Sequence, residues 1–279
     1  MRWVICALVV LALPSSAAAG DFNILRGSVP TYRWAGFYGG GQVGYSSSVV
    51  KFGTAGSGDI SYILRDTTIE QDEQVSNWSV LGTRTPASAS LGGFIGYNME
   101  WESLIVGLEL NYNHVNISGS STDTITRSFT DSGALPAGHN YFYTVTVGAE
   151  GTMHLTDVGT FRGRVGFEDG IFLPYAFAGL ALGRVDTSGG ATVSYTAVDY
   201  PDSESPALTP LPDLAVGPLG QTSSQNNALA YGVAAGLGVD IGVLPNVFVR
   251  GELEYIYFAP VNGIQFTLSS ARVGMGLKF

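Results

Sequence analysis

The sequence predicts an all-β fold, namely an eight-stranded antiparallel up-and-down transmembrane β-barrel with long extracellular loops. Residues 269–279 alternate apolar with polar or small side chains, which is typical of a strand with one apolar face. Only 13% of the 279 residues are charged, about half the usual fraction of a soluble domain, and 38 are glycine. Beyond the N-terminus, no apolar run reaches the roughly 20 residues that a spanning helix requires. Strands are therefore the elements expected to cross a membrane.

The N-terminal segment has the features of a secretory signal peptide. Arg2 provides a basic start, residues 4–13 are apolar, and residues 17–19 are alanines that suit a cleavage site. We predict a signal peptide at 1–19, a periplasmic lead-in at 20–33 and the barrel at 34–279. Cys6 is the single cysteine and lies in the signal, so the mature chain has no thiol for a disulfide or a metal site.

Four strands are predicted in the first half of the barrel, at residues 34–47, 88–98, 104–113 and 160–167. The first strand begins with several aromatic residues, as expected where a strand crosses the membrane interface. The second and third strands alternate most regularly and are joined by a tight turn. The side chains predicted to face lipid are Ala35, Phe37, Val43, Tyr45, Ala89, Leu91, Ile95, Tyr97, Val106, Leu108, Leu110, Tyr112, Phe161, Val165 and Phe167.

Four more strands are predicted at residues 173–185, 227–240, 247–258 and 269–279. Both faces of 173–185 are apolar, and we favour the register that places its even-numbered residues 176–182 outward. The other outward side chains are Leu229, Tyr231, Val233, Leu237, Val239, Val249, Leu253, Tyr255, Tyr257, Ala271, Val273, Met275, Leu277 and Phe279. Each strand of about ten residues suits a tilted crossing of the hydrocarbon layer.

The connections between these strands alternate between long and short. Residues 49–86, 116–154 and 186–224 form three long polar stretches, which we place outside the cell, and three short turns then lie in the periplasm with both termini. A further short loop, around residues 260–263, joins the last two strands. Five prolines between Pro201 and Pro218 are expected to exclude a continuous ladder there. Ten strands are an alternative, because 141–147 and 152–155 could pair as another hairpin. We favour an extension above the membrane.

Several motifs resemble the small outer-membrane β-barrel proteins of alphaproteobacteria, the porin-family or RopB-like surface antigens. They are WAGFYGGGQVGY at 34–45, FRGRVGF at 161–167, LPY at 173–175, EYIY at 254–257 and the terminal Phe279. The resemblance implies an OmpA-type transmembrane barrel in the bacterial outer membrane and cell envelope. It also implies insertion by the outer-membrane assembly machinery, with Val273, Met275, Leu277 and Phe279 as the signal. Leu277 departs from the family, which often has an aromatic residue there.

Charged side chains fall on the inward-facing positions of the predicted strands. They are Glu109, Arg162, Arg164, Arg250, Glu252, Glu254, Arg272 and Lys278. An eight-stranded barrel is just wide enough for side chains to fill it, and unpaired charges in that space would be costly. We therefore predict a charge-paired plug, with an ion-selective constriction as the alternative.

The sequence gives little indication of a catalytic, metal-binding or nucleic-acid-binding site. Of the three histidines, His114 beside Ser118 or Ser128 could in principle activate a lipid-deacylating nucleophile, but the residues define no complete catalytic set. The loop carboxylates, including Asp59, Glu70, Asp72, Glu73, Asp123 and Asp131, show no calcium-loop spacing and are expected to be a solvated acidic surface. The net charge of −10 argues against nucleic-acid binding. We expect no enzyme activity, no cofactor and no metal.

The expected function is therefore structural, with a contribution to envelope integrity and surface-exposed loops. A narrow diffusion pore is the alternative, and loop-mediated binding of a ligand or host factor is a third. The expected partners are outer-membrane lipid and lipopolysaccharide. A lipid-facing surface has the same composition in a monomer and an oligomer, so no oligomeric state is predicted.

Overall fold

The computed structural model describes residues 32–53, 55–78, 81–131, 139–201 and 209–279. The predicted signal peptide and residues 20–31 of the lead-in lie outside these ranges. In chain order the elements are β1 Gly36–Gly53, α1 Ser57–Ile63, α2 Thr68–Glu73, a 3₁₀ turn Val75–Asn77, β2 Leu81–Arg84, β3 Ala87–Trp101, β4 Leu104–Asp131, β5 His139–Phe167, β6 Phe172–Pro201, β7 Leu214–Leu244, β8 Val247–Phe258 and β9 Gln265–Lys278. Among the described helices, none has the length and apolar character needed to cross a membrane.

Eight of these strands form a closed antiparallel ring. Each strand pairs with the next from β3 to β9, while β1 pairs with β3 on one side and with β9 on the other. The closing ladder runs from Tyr38 opposite Lys278 to Lys51 opposite Gln265. The ninth strand, β2, pairs with the far end of β1 and continues the edge of β3 beyond a break at Pro86. The structure confirms the predicted eight-stranded up-and-down barrel.

Four strands are much longer than the sequence pattern indicated. β8 has the predicted bounds, but β4 to β7 continue far beyond the ends of the ring, and β4 reaches Asp131. The prediction that 116–154 and 186–224 are mostly loop is therefore wrong. Residues 141–147 and 152–155 belong to β5, so the favoured extension is present and the ten-stranded alternative is not.

The prediction that prolines interrupt the sheet after Pro201 holds only in part. β6 includes Pro201, and β7 includes Pro218 within its ladder. The pairing shifts register where Gly217 and Pro218 together oppose Ser194, since Val193 pairs with Leu219 and Tyr195 with Val216. A bulge of this kind accommodates proline because the ladder requires no amide donor there.

The predicted outward faces are confirmed in the ring. Leu180 and Leu182 are exposed while Ala181 is buried, which settles the ambiguous register of β6 as expected. Exposed leucine, valine and aromatic side chains encircle the barrel. The exterior is therefore apolar, as a lipid-facing surface requires.

One end of the barrel is closed by residues that precede β1. Tyr32 and Trp34 are buried there, and the Trp34 indole donates a hydrogen bond to the Gly170 carbonyl at 3.3 Å. Trp34 was predicted to begin the first strand at the membrane interface, and this is wrong. Its ring packs instead against Phe248 inside the lumen, because β1 begins only at Gly36.

Register shifts interrupt the ladders between the long strands at one level of the sheet. The shifts fall between His114 and Ile117 in the β4–β5 ladder, between Leu155 and Asp157 in the β5–β6 ladder, and between Val185 and Thr187 in the β6–β7 ladder. These positions are neighbours across the sheet, and we refer to them as the bulge line. The part of β4 to β7 beyond it is called the extension.

The connection between β1 and β2 packs against one side of the extension. Ile60, Leu64 and Ile69 of the two helices are buried in one cluster with Val147 of β5 and Val193 of β6. Thr67 caps α2 by accepting a hydrogen bond from the Glu70 amide. The extension therefore has a small apolar core of its own.

Candidate functional site

The lumen is the candidate site, because charged side chains from five strands meet there. The strands contribute them at alternate positions, which all point inward. Four arginines and four carboxylates form one ion-paired network: Arg162, Arg164, Arg250, Arg272, Glu109, Asp240, Glu252 and Glu254. All are buried. Their formal charges cancel, as expected for ions removed from water.

Arg162 lies at the centre of this network. Its guanidinium donates to Glu109, to Glu252 Oε2 at 2.6 Å and to Glu254 Oε1 at 3.1 Å. These carboxylates come from β4 and β8, so one side chain links opposite walls of the barrel. Arg272 of β9 also pairs with Glu252, at 2.6 Å. Each carboxylate is thereby held by more than one cation or donor.

A second group lies nearer the barrel end that carries Trp34. Asp240 accepts from Arg164 Nη2 at 2.7 Å and from Arg250 Nε at 2.8 Å. Arg250 Nη1 also donates to Glu109 Oε2 at 2.9 Å, which joins the two groups. The Tyr38 hydroxyl donates to the same Glu109 oxygen at 2.7 Å.

Aromatic rings surround the arginines. The guanidinium carbon of Arg250 lies 4.0 Å from the centroid of Phe94, and that of Arg164 lies 3.7 Å from the centroid of Tyr175. Arg162 has the same relation to Phe177 at 4.0 Å. Cations over ring faces gain electrostatic stabilisation that is larger when both groups are away from water.

Apolar clusters lie on both sides of the network. At the barrel end that precedes β1 the cluster consists of Tyr32, Trp34, Tyr38, Phe94, Ile105, Leu173 and Phe248. Towards the extension a larger cluster includes Phe52, Met153, Leu155, Ile256, Phe258 and Phe266, with Phe258 and Phe266 stacked at 4.7 Å. The described part of the lumen is therefore filled by side chains in three successive layers.

Seven of the eight charged residues predicted for the lumen lie in this network. Lys278 does not: it is the last residue of β9, where the barrel ends, and its ammonium group donates to the Arg33 carbonyl. Asp240 was missed, although it follows the inward glycines of its strand at the correct period. The Gln42 amide, which bonds Asn111 and Asn113 at 2.9 and 2.7 Å, was also missed. Their inward positions were the available signal.

The histidine considered for catalysis lies outside the barrel, at the bulge line. His114 Nδ1 is 3.0 Å from Asp157 Oδ1, and Tyr112 donates to the same oxygen at 2.6 Å. Ser118 lies four residues farther along β4, roughly 13 Å away at the usual strand rise. Ser128 lies farther still and bonds Thr144. The structure does not bring either predicted serine to His114.

Two further predictions concern metals and the terminal strand. Within the described ranges, no group of three histidine, aspartate or glutamate residues is arranged to hold a metal ion. The expectation that no metal or cofactor is bound stays a prediction. Val273, Met275, Leu277 and Phe279 all lie exposed on the outward face at the end of β9.

One family model matches this chain, and several solved structures are similar to it. The family model for the outer membrane protein beta-barrel domain matches residues 5–279. No curated protein sequence matches the chain. Among solved structures, Ail of Yersinia pestis, bound to the heparin analogue sucrose octasulfate, is 12% identical with a TM-score of 0.33, covering 88% of this chain and 99% of Ail. Neisserial surface protein A is 13% identical with a TM-score of 0.35, covering 88% and 98%.

Proposed function

The chain belongs to the outer membrane protein β-barrel domain family and is an integral outer-membrane protein with surface-exposed loops, and on that basis we propose that its role is structural. In this proposal the barrel is a closed anchor that contributes to envelope integrity and carries the extension at the cell surface. The finer assignment to RopB-like surface antigens is part of the same proposal.

The filled lumen is the observation that carries this proposal. The buried arginine–carboxylate network occupies the middle of the barrel, and the clusters around Phe248 and around Phe258 occupy the space on either side. A diffusion pore requires a continuous column of water between wall residues. The described side chains leave the charged groups paired with each other rather than with water, which favours the anchor over the narrow pore.

Planar-bilayer recording tests the closed barrel directly. Purified protein folded in detergent should give at most small and rare openings after incorporation. A heat-modifiable gel band establishes in parallel that the same sample is folded. Large, stable openings in a fully folded sample would overturn the proposal and support the pore.

We also propose that the assembly machinery of the outer membrane recognises the outward side chains of β9. Phe279 is 83% exposed just after the end of the strand, so its ring does not pack into the core of the folded barrel. Phe279→Ala should lower the fraction of folded protein in cells severalfold but leave refolding of purified protein in detergent unchanged. Leu253→Ala, on the outward face of β8, is the matched control. Equal loss in both variants would contradict a signal at β9.

A further inference from the structure

Serine and threonine occupy the outward face of the extension without interruption on β4. Every outward residue from Ser118 to Thr130 is one or the other, and all of these are exposed. The inward positions between them have no such regularity. Below the bulge line the outward residues of the same strand are valine, leucine and tyrosine. One continuous face thus changes from apolar to hydroxyl-bearing at a single level.

Neighbouring strands extend the same surface. On β5 the outward residues include Thr144, Thr146 and Thr152, and on β6 they include Thr192 and Thr196. Cross-strand pairs place the hydroxyls in register: Thr126 and Thr146 are 3.0 Å apart, as are Ser128 and Thr144. We call this surface of β4, β5 and β6 the hydroxyl face. Neighbouring outward residues on this face are about 4.8 Å apart between strands and about 6.6 Å apart along a strand.

Two hollows lie along the hydroxyl face. The larger, of about 520 Å³, lies just beyond the bulge line and is lined by Ser118, Ser120, Thr152, His154, Asp186 and Ser188, among others. Its volume falls in the range of roughly 300–1,000 Å³ that is usual for small-molecule sites. The second, of about 260 Å³, lies farther out beside Thr124. Gly148 lines it, and a Cβ at that position would lie 2.6 Å from Thr192 Oγ1.

The chemistry of the hydroxyl face selects among possible occupants. Hydroxyl groups both donate and accept hydrogen bonds, and therefore match neutral polyols. Lysine and arginine are absent from the outward positions at 118–130, 144–154 and 186–196, all of which the structure describes, whereas Glu150 and Asp186 are present. The nearby Arg184 at the bulge line is engaged by Asn227 at 2.8 Å and by Asp157 at 3.9 Å. Phosphate groups require basic partners, so they fit poorly. An acyl chain gains nothing from a hydroxyl surface.

The position of the hydroxyl face identifies the source of the polyol. It continues directly from the lipid-facing belt that contains Leu180 and Leu182. A glycolipid whose acyl chains contact that belt places its sugars immediately above, against the hydroxyl face. We propose that this face binds the sugar chain of lipopolysaccharide in the surrounding outer leaflet. The proposal rests on the outer-membrane location but not on the closed lumen.

Three threonines provide a test that preserves the fold. Thr122→Val, Thr124→Val and Thr152→Val together remove three hydroxyls but keep the size and β-branching that suit strands. The matched control replaces three threonines away from the hydroxyl face, the exposed Thr68→Val and Thr209→Val and the partly exposed Thr267→Val. Protein in phosphatidylcholine nanodiscs is titrated with lipid A or with core-bearing lipopolysaccharide, and native mass spectrometry gives the bound fraction.

The expected result is selective for the sugar. The triple variant should bind core-bearing lipopolysaccharide about fivefold or more weakly, since each lost hydrogen bond lowers affinity by a modest factor. Its binding of lipid A, which carries only two sugar units, should weaken less, and both affinities of the control should be unchanged. An unchanged affinity for core-bearing lipopolysaccharide, or an equal loss for lipid A, would overturn the proposal. So would equally tight binding of core oligosaccharide cleaved from its lipid. Bilayer recording of the same variant tests the closed lumen separately.

Discussion

The two halves of β4 to β6 have opposite side-chain patterns. In the ring, outward residues such as Leu110 and Leu180 are apolar, and inward residues such as Glu109 and Arg162 are charged. Beyond the bulge line, the outward residues of β4 are hydroxyl-bearing, and inward residues of β5 and β6 such as Val147 are apolar and covered by α1 and α2. Backbone pairing continues across the line in every ladder.

This inversion indicates that the same strands pass from a lipid environment around the ring to an aqueous environment around the extension. A strand has two faces, and its apolar side chains lie on the face that contacts the less polar environment. In the ring that environment is lipid outside, so polar groups gather in the lumen and must pair. In the extension it is the small core beneath the helices, so polar groups face water. The bulge line marks the change.

The largest effect should come from breaking the ion network. Arg162→Met leaves Glu109, Glu252 and Glu254 without their central cation, and losing one partner of a buried ion pair typically costs about 3–5 kcal/mol. The urea midpoint of the heat-modifiable band in lipid vesicles should fall accordingly. Arg184→Met is the control, because Arg184 lies exposed at the bulge line. A midpoint equal to that of the control would mean that the network does not stabilise the barrel.

A charge placed on the outward face should destabilise the protein where that face contacts lipid and have little effect where it contacts water. Leu180→Arg puts a cation in the lipid-facing belt of β6, at an expected cost of about 2–4 kcal/mol near the middle of the membrane. Thr192→Arg makes the same change on the same face of the same strand, beyond the bulge line, and should alter stability by less than about 0.5 kcal/mol. The urea midpoints of the two variants give the comparison. Similar losses would place the membrane boundary elsewhere.

Much of the ring could be predicted from the sequence because alternation there combines apolar with polar residues. The extension could not, because hydroxyl residues alternate with mixed residues at 118–130, and such a pattern resembles a loop. A run of serine and threonine at every second position was the available signal. Periodicity places Asp240 on the inward face but does not reveal its ion-pair partners Arg164 and Arg250. It also does not reveal that the Trp34 ring packs against Phe248 inside the lumen.

The core of the extension should be separable from the barrel. Ile60→Val removes one buried methylene under α1, which typically costs about 0.5–1.5 kcal/mol. The loss should increase protease cleavage within residues 55–78 and leave the heat-modifiable band unchanged. Ile63→Val, at a partly buried position of the same helix, should have less effect. A lowered urea midpoint of the barrel would show that the two regions unfold together.

The smallest expected effect concerns a carboxylate at the far end of the extension. Burial raises the pKa of Asp199, but the Leu211 amide at 2.7 Å and His139 at 2.7 Å outweigh it, so the pKa lies below its ordinary value.

A lowered pKa in the folded state has a defined pH signature. The contact is fully stabilising above the ordinary carboxyl pKa of about 4 and is lost as pH falls through the lowered folded value. Amide exchange at Leu211, corrected for the intrinsic rate, should therefore be slow at pH 7 and faster at about pH 2. Asp199→Asn should already exchange faster at pH 7, while Asp213→Asn, on an exposed side chain nearby, should not. Slow exchange at both pH values in the unsubstituted protein would show that the carboxylate does not hold this segment, and the extension would then depend on its apolar core alone.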